Sequence, residues 1–443
     1  MSHSLKKTLG FWDSVAIVIG SVVGTGIFRT PSEVCQYVMD PGWVLAAWAI
    51  GGVIAFLGTL CYCELSATFP ETGGNYVYLK YAYGPWAGFL FGWSELALMR
   101  TASIASVAYA FGEYFKNLLP AIPGGEKTIA IAGIWLLTLI NIRGLHYGKW
   151  LQNVVSSAKV LALIVLIVLG VVLGHGALKN FATAFPTFPR DHFISKLGLA
   201  LVPILWTYGG WHESTFVAGE FKRGDRDLPR SLITAAVLVI AFYLVINSVY
   251  LYVFPAVEIA KRDLIAGDVM KVIFGPVGEV IMTAIIVVCI FGVLNTVILA
   301  GGRIPYAVAQ DHPVLSWLGS SHEKFQTPDR SLFVNALWAS LLVLWGTFSQ
   351  LLFLSAAAVW LFFAAAGIAV FVLRSRYRDR ARPFSMWGYP WTVLLFTGAA
   401  FWIFINTVLY SPRESALGFL IVALGFPLYW ISCRLEAKSL NRS

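Results

Sequence analysis

The sequence predicts an all-α membrane protein with twelve transmembrane helices, of which helices 1 and 6 are unwound near the membrane midplane. Of the 443 residues, 58% are hydrophobic and only 12% are charged, which is too apolar for a chain that hides its surface in one soluble core. Uncharged runs long enough to cross about 30 Å of hydrocarbon recur from end to end. Glycines interrupt two of these runs.

The apolar runs define the spans. The uncharged run 331–373 is about twice too long for one crossing and carries a polar "GTFSQ" near its middle, so we divide it into two helices. We expect a core region over 1–410, followed by helix 12 and a tail over 411–443. Within the core, the expected units are helices 1–5 over 11–174, helices 6–10 over 194–373 and helix 11 over 388–410.

Basic residues predict the orientation. An even number of spans leaves both termini on one side, and 20 Lys and Arg residues fall on that side against nine on the other. Because cytoplasmic loops carry the excess of Lys and Arg, we expect a multi-pass protein of the plasma or inner membrane with both termini in the cytoplasm.

The charge pattern argues against nucleic acid as a partner. The net charge is +9, but the most basic run, "RSRYRDRARP" at 374–383, directly follows a span, where contact with the lipid bilayer is the ordinary interpretation. The five cysteines have no metal-ligand spacing. We therefore predict no nucleic acid, no metal and no cofactor, and a transporter instead of an enzyme.

The first interruption is the stretch "GSVVGTGIF" at 20–28, which places three glycines inside an apolar span. Each glycine costs a helix roughly 0.5 to 1 kcal/mol relative to alanine. Unwound backbone survives in a membrane only where it is buried in protein or lines a cavity. The alternative is simple packing, because Gly20 and Gly24 form a G-x-x-x-G pattern that lets two helices approach closely.

A second interruption, "LWTYGGWHES" at 205–214, places Gly209 and Gly210 inside the sixth span. If helices 1–5 and 6–10 form a 5+5 inverted repeat, both breaks fall in the first helix of a repeat. This pattern is typical of a midplane binding site in a secondary transporter.

The broken ends predict the ligand. One end offers free N–H groups with partial positive charge and the other offers free C=O groups with partial negative charge, which suits a zwitterion. A carboxylate is expected on the N–H groups of Thr25, Gly26 and Ile27, and an ammonium near the carbonyls of Ile19 and Trp206. The small-molecule substrate is therefore predicted to be an α-amino acid. The other predicted wall residues are Ser21, Val23, Gly24, Thr207, Tyr208 and Gly209.

Several stretches together resemble the L-type amino acid transporter branch of the amino acid-polyamine-organocation superfamily. They are "GSVVGTGIF", "LCYCELSATFPETGGNYVYLKYAYG", "WSELALMR", "SSAKVLAL", "TYGGWHESTFVAGE", "DLPRSL" and "FGVLNT", which follow in family order. The resemblance implies a LeuT-like fold with ten core helices plus two, and sodium-independent amino acid transport, usually by exchange. It also implies that Thr25 and Gly26 bind the substrate carboxylate and that Trp206 gates the pocket from outside, although core packing is the rival role for Trp206.

Lys159 is the most informative single charge. It lies ten residues beyond Lys149, about 15 Å into the hydrocarbon core, and its stem reaches only roughly 6 Å. An unpaired cation there costs at least ~2.5 kcal/mol, so internal acceptors are required. The resemblance places Lys159 where sodium-driven relatives hold their ion, and Asn295 on the eighth helix could hydrogen-bond it or the first helix. The alternative for Lys159 is a clamp between helices.

Four further residues leave alternatives open. Glu95 and Arg100 point about 140° apart on an α-helix, so we expect each to have another partner in a structural role. His212 and Glu213 stand where the L-type branch usually has asparagine and an uncharged residue. Both can titrate, which would suit proton coupling or, for Glu213, cationic substrates. We expect instead that Glu213 complements the N-terminal end of the resumed helix.

The sequence thus predicts a sodium-independent exchanger of neutral L-amino acids, with its site between helices one, three, six, eight and ten. The runner-up is a proton-coupled or cationic amino acid permease, and the third candidate is an amino acid-binding membrane sensor. The light subunits of the L-type branch carry a cysteine in the loop after helix 3, bonded to a glycoprotein. The loop "NLLPAIPGGEK" at 117–127 has none, so no disulfide-linked heavy subunit is expected.

Overall fold

The computed structural model describes residues 7–123, 125–181, 193–262 and 264–440. Lys6, Arg190 and residues 441–443, which entered the charge count and the predicted tail, lie outside the described residues. Within them the chain is helical and contains no strand. The helices are α1 (Phe11–Val22), α2 (Gly26–Tyr37), α3 (Pro41–Thr68), α4 (Asn75–Tyr83), α5 (Pro85–Ser94), α6 (Arg100–Leu118), α7 (Glu126–Ile142), α8 (Leu145–Leu173), α9 (Phe193–Thr207), α10 (Gly224–Val253), α11 (Ala256–Ile259), α12 (Ile265–Phe274), α13 (Pro276–Gly301), α14 (Arg303–Asp311), α15 (Asp329–Trp345), α16 (Phe348–Arg376), α17 (Trp391–Tyr410), α18 (Pro412–Ala423) and α19 (Gly425–Leu440).

Shorter elements join some of these helices. A π-helix over Glu95–Met99 links α5 to α6, and 3₁₀-helices cover Leu178–Phe181, Glu213–Glu220 and Pro313–Gly319. The π-helix and the second 3₁₀-helix both contribute to the site described below.

Seven helical segments in the described residues are long and apolar enough to cross a membrane, and the bent pair α1–α2 makes an eighth if it counts as one span. The remaining predicted spans are the short or interrupted ones. The third is divided by the π-helix, the sixth stops at Thr207, and α7 and α15 have 17 residues each. Length and composition therefore support a multi-pass membrane protein, with twelve crossings still a prediction.

The uncharged run 331–373 divides into two helices at its polar segment "GTFSQ", as predicted. α15 ends at Trp345 and α16 begins at Phe348. Thr347 precedes α16 and its backbone N–H donates to Oε1 of Gln350 at 3.0 Å, which caps the new helix. Polar residues inside an apolar run thus mark a helix end here.

The broken first helix lies at the centre of the bundle. α1 packs against α8, α10 and α13, whereas α2 packs against α9. Seven of the twelve residues of α1 are buried, and eight of the twelve in α2. The first break is therefore enclosed by protein, as unwound backbone in a membrane requires.

The basic run after α16 is largely engaged by the protein itself. Arg374 pairs with Glu64 through Nε at 2.6 Å and Nη2 at 2.5 Å. Arg376 donates to the carbonyls of Tyr81 and Ala82, and Arg382 donates to those of Arg374 and Tyr377. Arg374 and Arg376 thus join the end of α16 to α3 and α4, and Arg382 folds back onto that end, roles that the predicted contact with lipid did not include.

Candidate functional site

The first helix breaks at the predicted glycines. α1 ends at Val22, α2 begins at Gly26, and the two segments meet at 44°. The N–H groups in the first turn of α2 have no partners within their own helix, since every helix begins with such groups. The break therefore presents a backbone donor end at Thr25 and Gly26.

The second break lies directly against the first. α9 ends at Thr207, and Gly210 adopts φ +103°, a conformation that favours glycine. A methyl group on Gly210 would lie 2.3 Å from Oγ of Ser21, and one on Gly26 would lie 2.6 Å from Oγ1 of Thr207. The glycines thus let the two breaks approach more closely than any side chain allows.

Tyr243 of α10 connects the carbonyl ends of both breaks. Its hydroxyl donates to the Val22 carbonyl at 2.9 Å and lies 3.4 Å from the Thr207 carbonyl oxygen. These are the last residues of α1 and α9, whose carbonyls lack partners within their helices. Sequence analysis did not identify Tyr243, because nothing in the local pattern of α10 marks it.

A cavity of about 220 Å³ lies at the two breaks. This volume is several times the roughly 30 Å³ that one water molecule occupies in the liquid. The cavity therefore has room for a small organic molecule. Its wall contains eight of the predicted site residues: Ser21, Gly24, Thr25, Gly26, Trp206, Thr207, Gly209 and His212. The sequence-predicted residues of both breaks therefore meet at one cavity.

The other predicted wall residues do not line the cavity. Val23 donates its backbone N–H to the Ile19 carbonyl at 2.9 Å, which completes the last turn of α1. Ile27 is fully buried and its carbonyl lies 3.4 Å from the Tyr250 hydroxyl. Tyr208 donates its hydroxyl to the Trp48 carbonyl at 3.2 Å. These four residues support the break instead of facing the cavity.

The predicted ammonium position is less open than the sequence suggests. The carbonyls of Ile19 and Trp206 each accept a backbone N–H at 2.9 Å, from Val23 and Gly209 respectively. A carbonyl oxygen has two lone pairs, so one hydrogen bond does not by itself exhaust its capacity as an acceptor. Trp206 itself is half-buried in the cavity wall.

Lys159 meets a carbonyl of the first helix. Its Nζ donates to the Gly20 carbonyl at 2.7 Å, and the side chain is only 1% exposed. A methyl group on Gly292 of α13 would lie 3.0 Å from Nζ. The ammonium therefore lies between α1 and α13, outside the cavity wall.

Asn295 of α13 reaches the first helix through a second side chain. Its Nδ2 donates to Oε1 of Gln152 at 2.9 Å, and its Oδ1 accepts from Nδ2 of Asn141 at 2.9 Å. Gln152 in turn donates to the Ala16 carbonyl of α1 at 3.3 Å. This polar chain joins α7, α8 and α13 to α1.

Arg100 has the further partner that was expected, Glu213, but the expectation that Glu95 and Arg100 do not pair with each other was wrong. Nε of Arg100 lies 3.0 Å from Oε2 of Glu95, so the two residues pair with each other. The π-helix over Glu95–Met99 is the reason, because its i→i+5 repeat places residues five apart on the same side. The 140° separation applies only to an α-helix.

Glu213 lies in the first turn of the 3₁₀-helix, as its preferred role requires, but it also has a partner that sequence analysis did not predict. Both carboxylate oxygens accept from Nη1 of Arg100 at 2.9 Å, so Glu213 is an ion-pair partner and not simply a helix-end charge. Arg100 also lies over the ring of Phe216 at 5.0 Å. Glu95, Arg100 and Glu213 all belong to the cavity wall, a contribution that sequence analysis missed.

His212 has aromatic neighbours and two charged neighbours, Glu213 and Arg100. Tyr62, Trp211, Phe216 and Phe363 surround the imidazole at ring distances of 4.8 to 5.7 Å. Nε2 lies 4.0 Å from Oε1 of Glu213, and Nδ1 has no hydrogen-bond partner among the described residues.

Comparison with known proteins places this geometry in context. A family model described as amino acid permease matches residues 9–432. The chain is 30% identical to the serine/threonine exchanger SteT of Bacillus subtilis (strain 168) over 431 residues, covering 97% of each chain. It is 28% identical to the human cystine/glutamate transporter, covering 96% of this chain and 85% of that one. It is also 28% identical to the rat large neutral amino acids transporter small subunit 2, covering 98% and 82% respectively.

Proposed function

This chain belongs to the amino acid permease family, and on that premise we propose that it is an antiporter that exchanges neutral L-amino acids across the cell membrane without sodium. The observation that carries the proposal is the meeting of two broken helices at one cavity. The donor end at Thr25 and Gly26 suits the carboxylate of an amino acid. The carbonyl end at Trp206, which lines the cavity, suits its ammonium group, whereas Ile19 lies outside the cavity wall.

The proposed preference for substrates with a neutral side chain follows from the charges in the cavity wall. Arg100 is paired with Glu95 and Glu213, at 3.0 and 2.9 Å, so two carboxylates offset its charge and reduce its attraction for an acidic substrate side chain. The same bonds occupy oxygens of both carboxylates. The substrate side chain would instead meet Val293, Val359 and Trp360, which are apolar members of the wall.

Sodium independence rests on Lys159. A fixed ammonium bonded to the Gly20 carbonyl occupies a position where a cation stabilises the carbonyl end of the broken helix. Because this charge is covalently attached, it cannot leave in each cycle as a bound sodium ion does. In this proposal Lys159 takes the coupling role, and Asn295 holds the neighbouring helices to α1.

Transport would proceed by alternating access in a LeuT-like fold of twelve spans, built from a 5+5 inverted repeat, with Trp206 gating the cavity from outside. Both termini would face the cytoplasm. The break in α1 and the break after α9 would each fall in the first helix of a repeat, which supports this arrangement. The protein would function without a disulfide-linked heavy subunit.

Uptake into proteoliposomes tests the proposal. Vesicles preloaded with one amino acid at a time should take up labelled serine when the internal amino acid is neutral. Internal arginine or glutamate should support little exchange. Equal exchange with glutamate inside would contradict the charge argument, and no exchange with any amino acid would contradict the proposed function itself.

A further inference from the structure

The cavity wall contains four ionisable side chains to which the proposed exchange assigns no proton: Glu95, Arg100, His212 and Glu213. They come from two separate parts of the chain. The π-helix and the start of α6 supply the first two, and the second break supplies the others. Arg100 joins them through ion pairs of 3.0 Å to Glu95 and 2.9 Å to Glu213.

The cluster has a surplus of negative charge. With both carboxylates ionised, the guanidinium charged and the imidazole neutral, its net charge is −1. The side chains of Glu95, Arg100 and Glu213 are only 5 to 8% exposed. A buried charge without a counter-charge is strongly unfavourable, more so within a membrane. The cluster therefore needs one further positive charge.

No other described side chain supplies that charge. Tyr62 of α3 contacts His212, and Tyr78 of α4 contacts Tyr62, but both are neutral phenols at ordinary pH. The described residues that α1, α13 and α16 contribute to the wall contain no ionisable side chain. The buried guanidinium of Arg303 on α14 pairs instead with Glu220 at 2.8 Å.

A proton fits this position better than a substrate cation. Arg100 already occupies both oxygens of Glu213 and Oε2 of Glu95. Burial leaves little surface that an ammonium or guanidinium group could contact directly. A proton requires no such space, and a proton on Nε2 of His212 would face Oε1 of Glu213 across 4.0 Å.

We propose that the Glu95–Arg100–Glu213 cluster, with His212, is a proton-binding site that takes up one proton when the cavity closes around the amino acid. The inference rests on the proposed function, because it assigns regulation to the same cavity. Closing the cavity removes the water that remains around the cluster. Because an uncompensated negative charge is then more costly, the closed form requires the cluster to be protonated and therefore neutral. The cluster would make amino acid exchange dependent on pH.

The direction of the pH dependence follows from the net negative charge of the unprotonated cluster. The protonated fraction falls about tenfold per pH unit above the cluster's apparent pKa. Exchange should therefore be fast in acid and slow in alkali. In Glu213→Gln one carboxylate and one guanidinium remain, so the cluster is neutral without a proton and the pH dependence should disappear.

The test measures serine exchange in proteoliposomes with equal pH on both sides, from about pH 6 to about pH 9. Exchange by the native protein should fall at least about tenfold across this range. Glu213→Gln should show a flat profile, whatever its absolute rate. The matched control is Glu279→Gln, an exposed carboxylate paired with Lys271 at 2.8 Å, which should keep the native profile.

A second readout follows the proton directly. Serine added to the purified protein in weakly buffered detergent, with a pH-indicator dye, should remove protons from solution, and Glu213→Gln should remove none. If Glu213→Gln fails to fold, Glu95→Gln serves for both measurements. Exchange that is independent of pH, or serine binding without proton uptake, would overturn the proton site. Absence of exchange at every pH would overturn the proposed function instead.

Discussion

The Lys159 ammonium donates a 2.7 Å hydrogen bond to the carbonyl oxygen of Gly20, two residues before the first helical segment ends. The bond crosses 139 residues of sequence and joins α8 to the broken helix. It supplies the internal acceptor that a buried lysine requires, and it places a covalently attached ammonium group at the carbonyl end of α1.

Lys159→Ala should therefore slow exchange more than it weakens binding. The ammonium holds two helices and does not line the cavity, so its loss shifts conformational populations. We expect serine exchange to fall at least about tenfold and the half-saturating serine concentration to change less than about threefold. Lys271→Ala, which removes an exposed ion pair, is the control and should keep the native rate. Native exchange by Lys159→Ala would contradict this role.

The contact between Gly26 and Thr207 changes how the first break can be tested. A side chain on Gly26 would clash with Thr207 at 2.6 Å, so Gly26→Leu alters packing as well as the carboxylate site. The double variant Gly26→Ala/Thr207→Gly removes this clash. Suppose that the substrate carboxylate can bind at position 26 only when that residue has no side chain. The double variant should then be more thermally stable than Gly26→Ala but should bind serine no more tightly.

Gly20 provides the packing control for that experiment. A methyl group there would lie 1.6 Å from Nε2 of Gln152, away from the cavity wall. Overpacking of this kind costs roughly 1 to 3 kcal/mol, so Gly20→Ala should lower the melting temperature more than the serine affinity. Full recovery of serine affinity in the double variant would favour helix packing as the role of Gly26.

Tyr243→Phe should destabilise the protein by removing the hydroxyl between the two broken ends. The buried Val22 carbonyl would lose its 2.9 Å donor, at a cost of roughly 1 to 3 kcal/mol. Thermal unfolding in detergent measures the loss. Tyr250→Phe is the matched control, since that hydroxyl lies 3.4 Å from its acceptor and should contribute less. Equal effects of the two substitutions would contradict the bridging role.

The proposed topology predicts which segments can be labelled from outside. A cysteine-reactive, membrane-impermeant reagent should not reach a cysteine placed after Ser443 or in the segment 221–230 in intact cells. It should reach one placed at Lys261, on the side with fewer basic residues. Labelling of the first two sites from outside would contradict a cytoplasmic location of the termini.

Local sequence signals predicted the backbone features of the site but not its side-chain partners. The glycines at 20–28 and 205–214 marked both breaks because glycine weakens a helix wherever it occurs. The depth of Lys159 predicted an internal acceptor. The pairing of Glu95 with Arg100 was missed because it depends on a π-helix, which the apolar pattern does not reveal. Tyr243 was missed because its role depends on contacts to Val22 and Thr207, more than 30 residues away along the chain.

Sodium-independent exchange is tested most directly by labelled serine uptake into proteoliposomes that are either empty or preloaded with unlabelled serine, in sodium medium and in choline medium. We predict rapid uptake into preloaded vesicles at the same rate in both media, and little uptake into empty vesicles in either. Uptake that requires sodium, or equal uptake into empty and preloaded vesicles, would contradict the proposal.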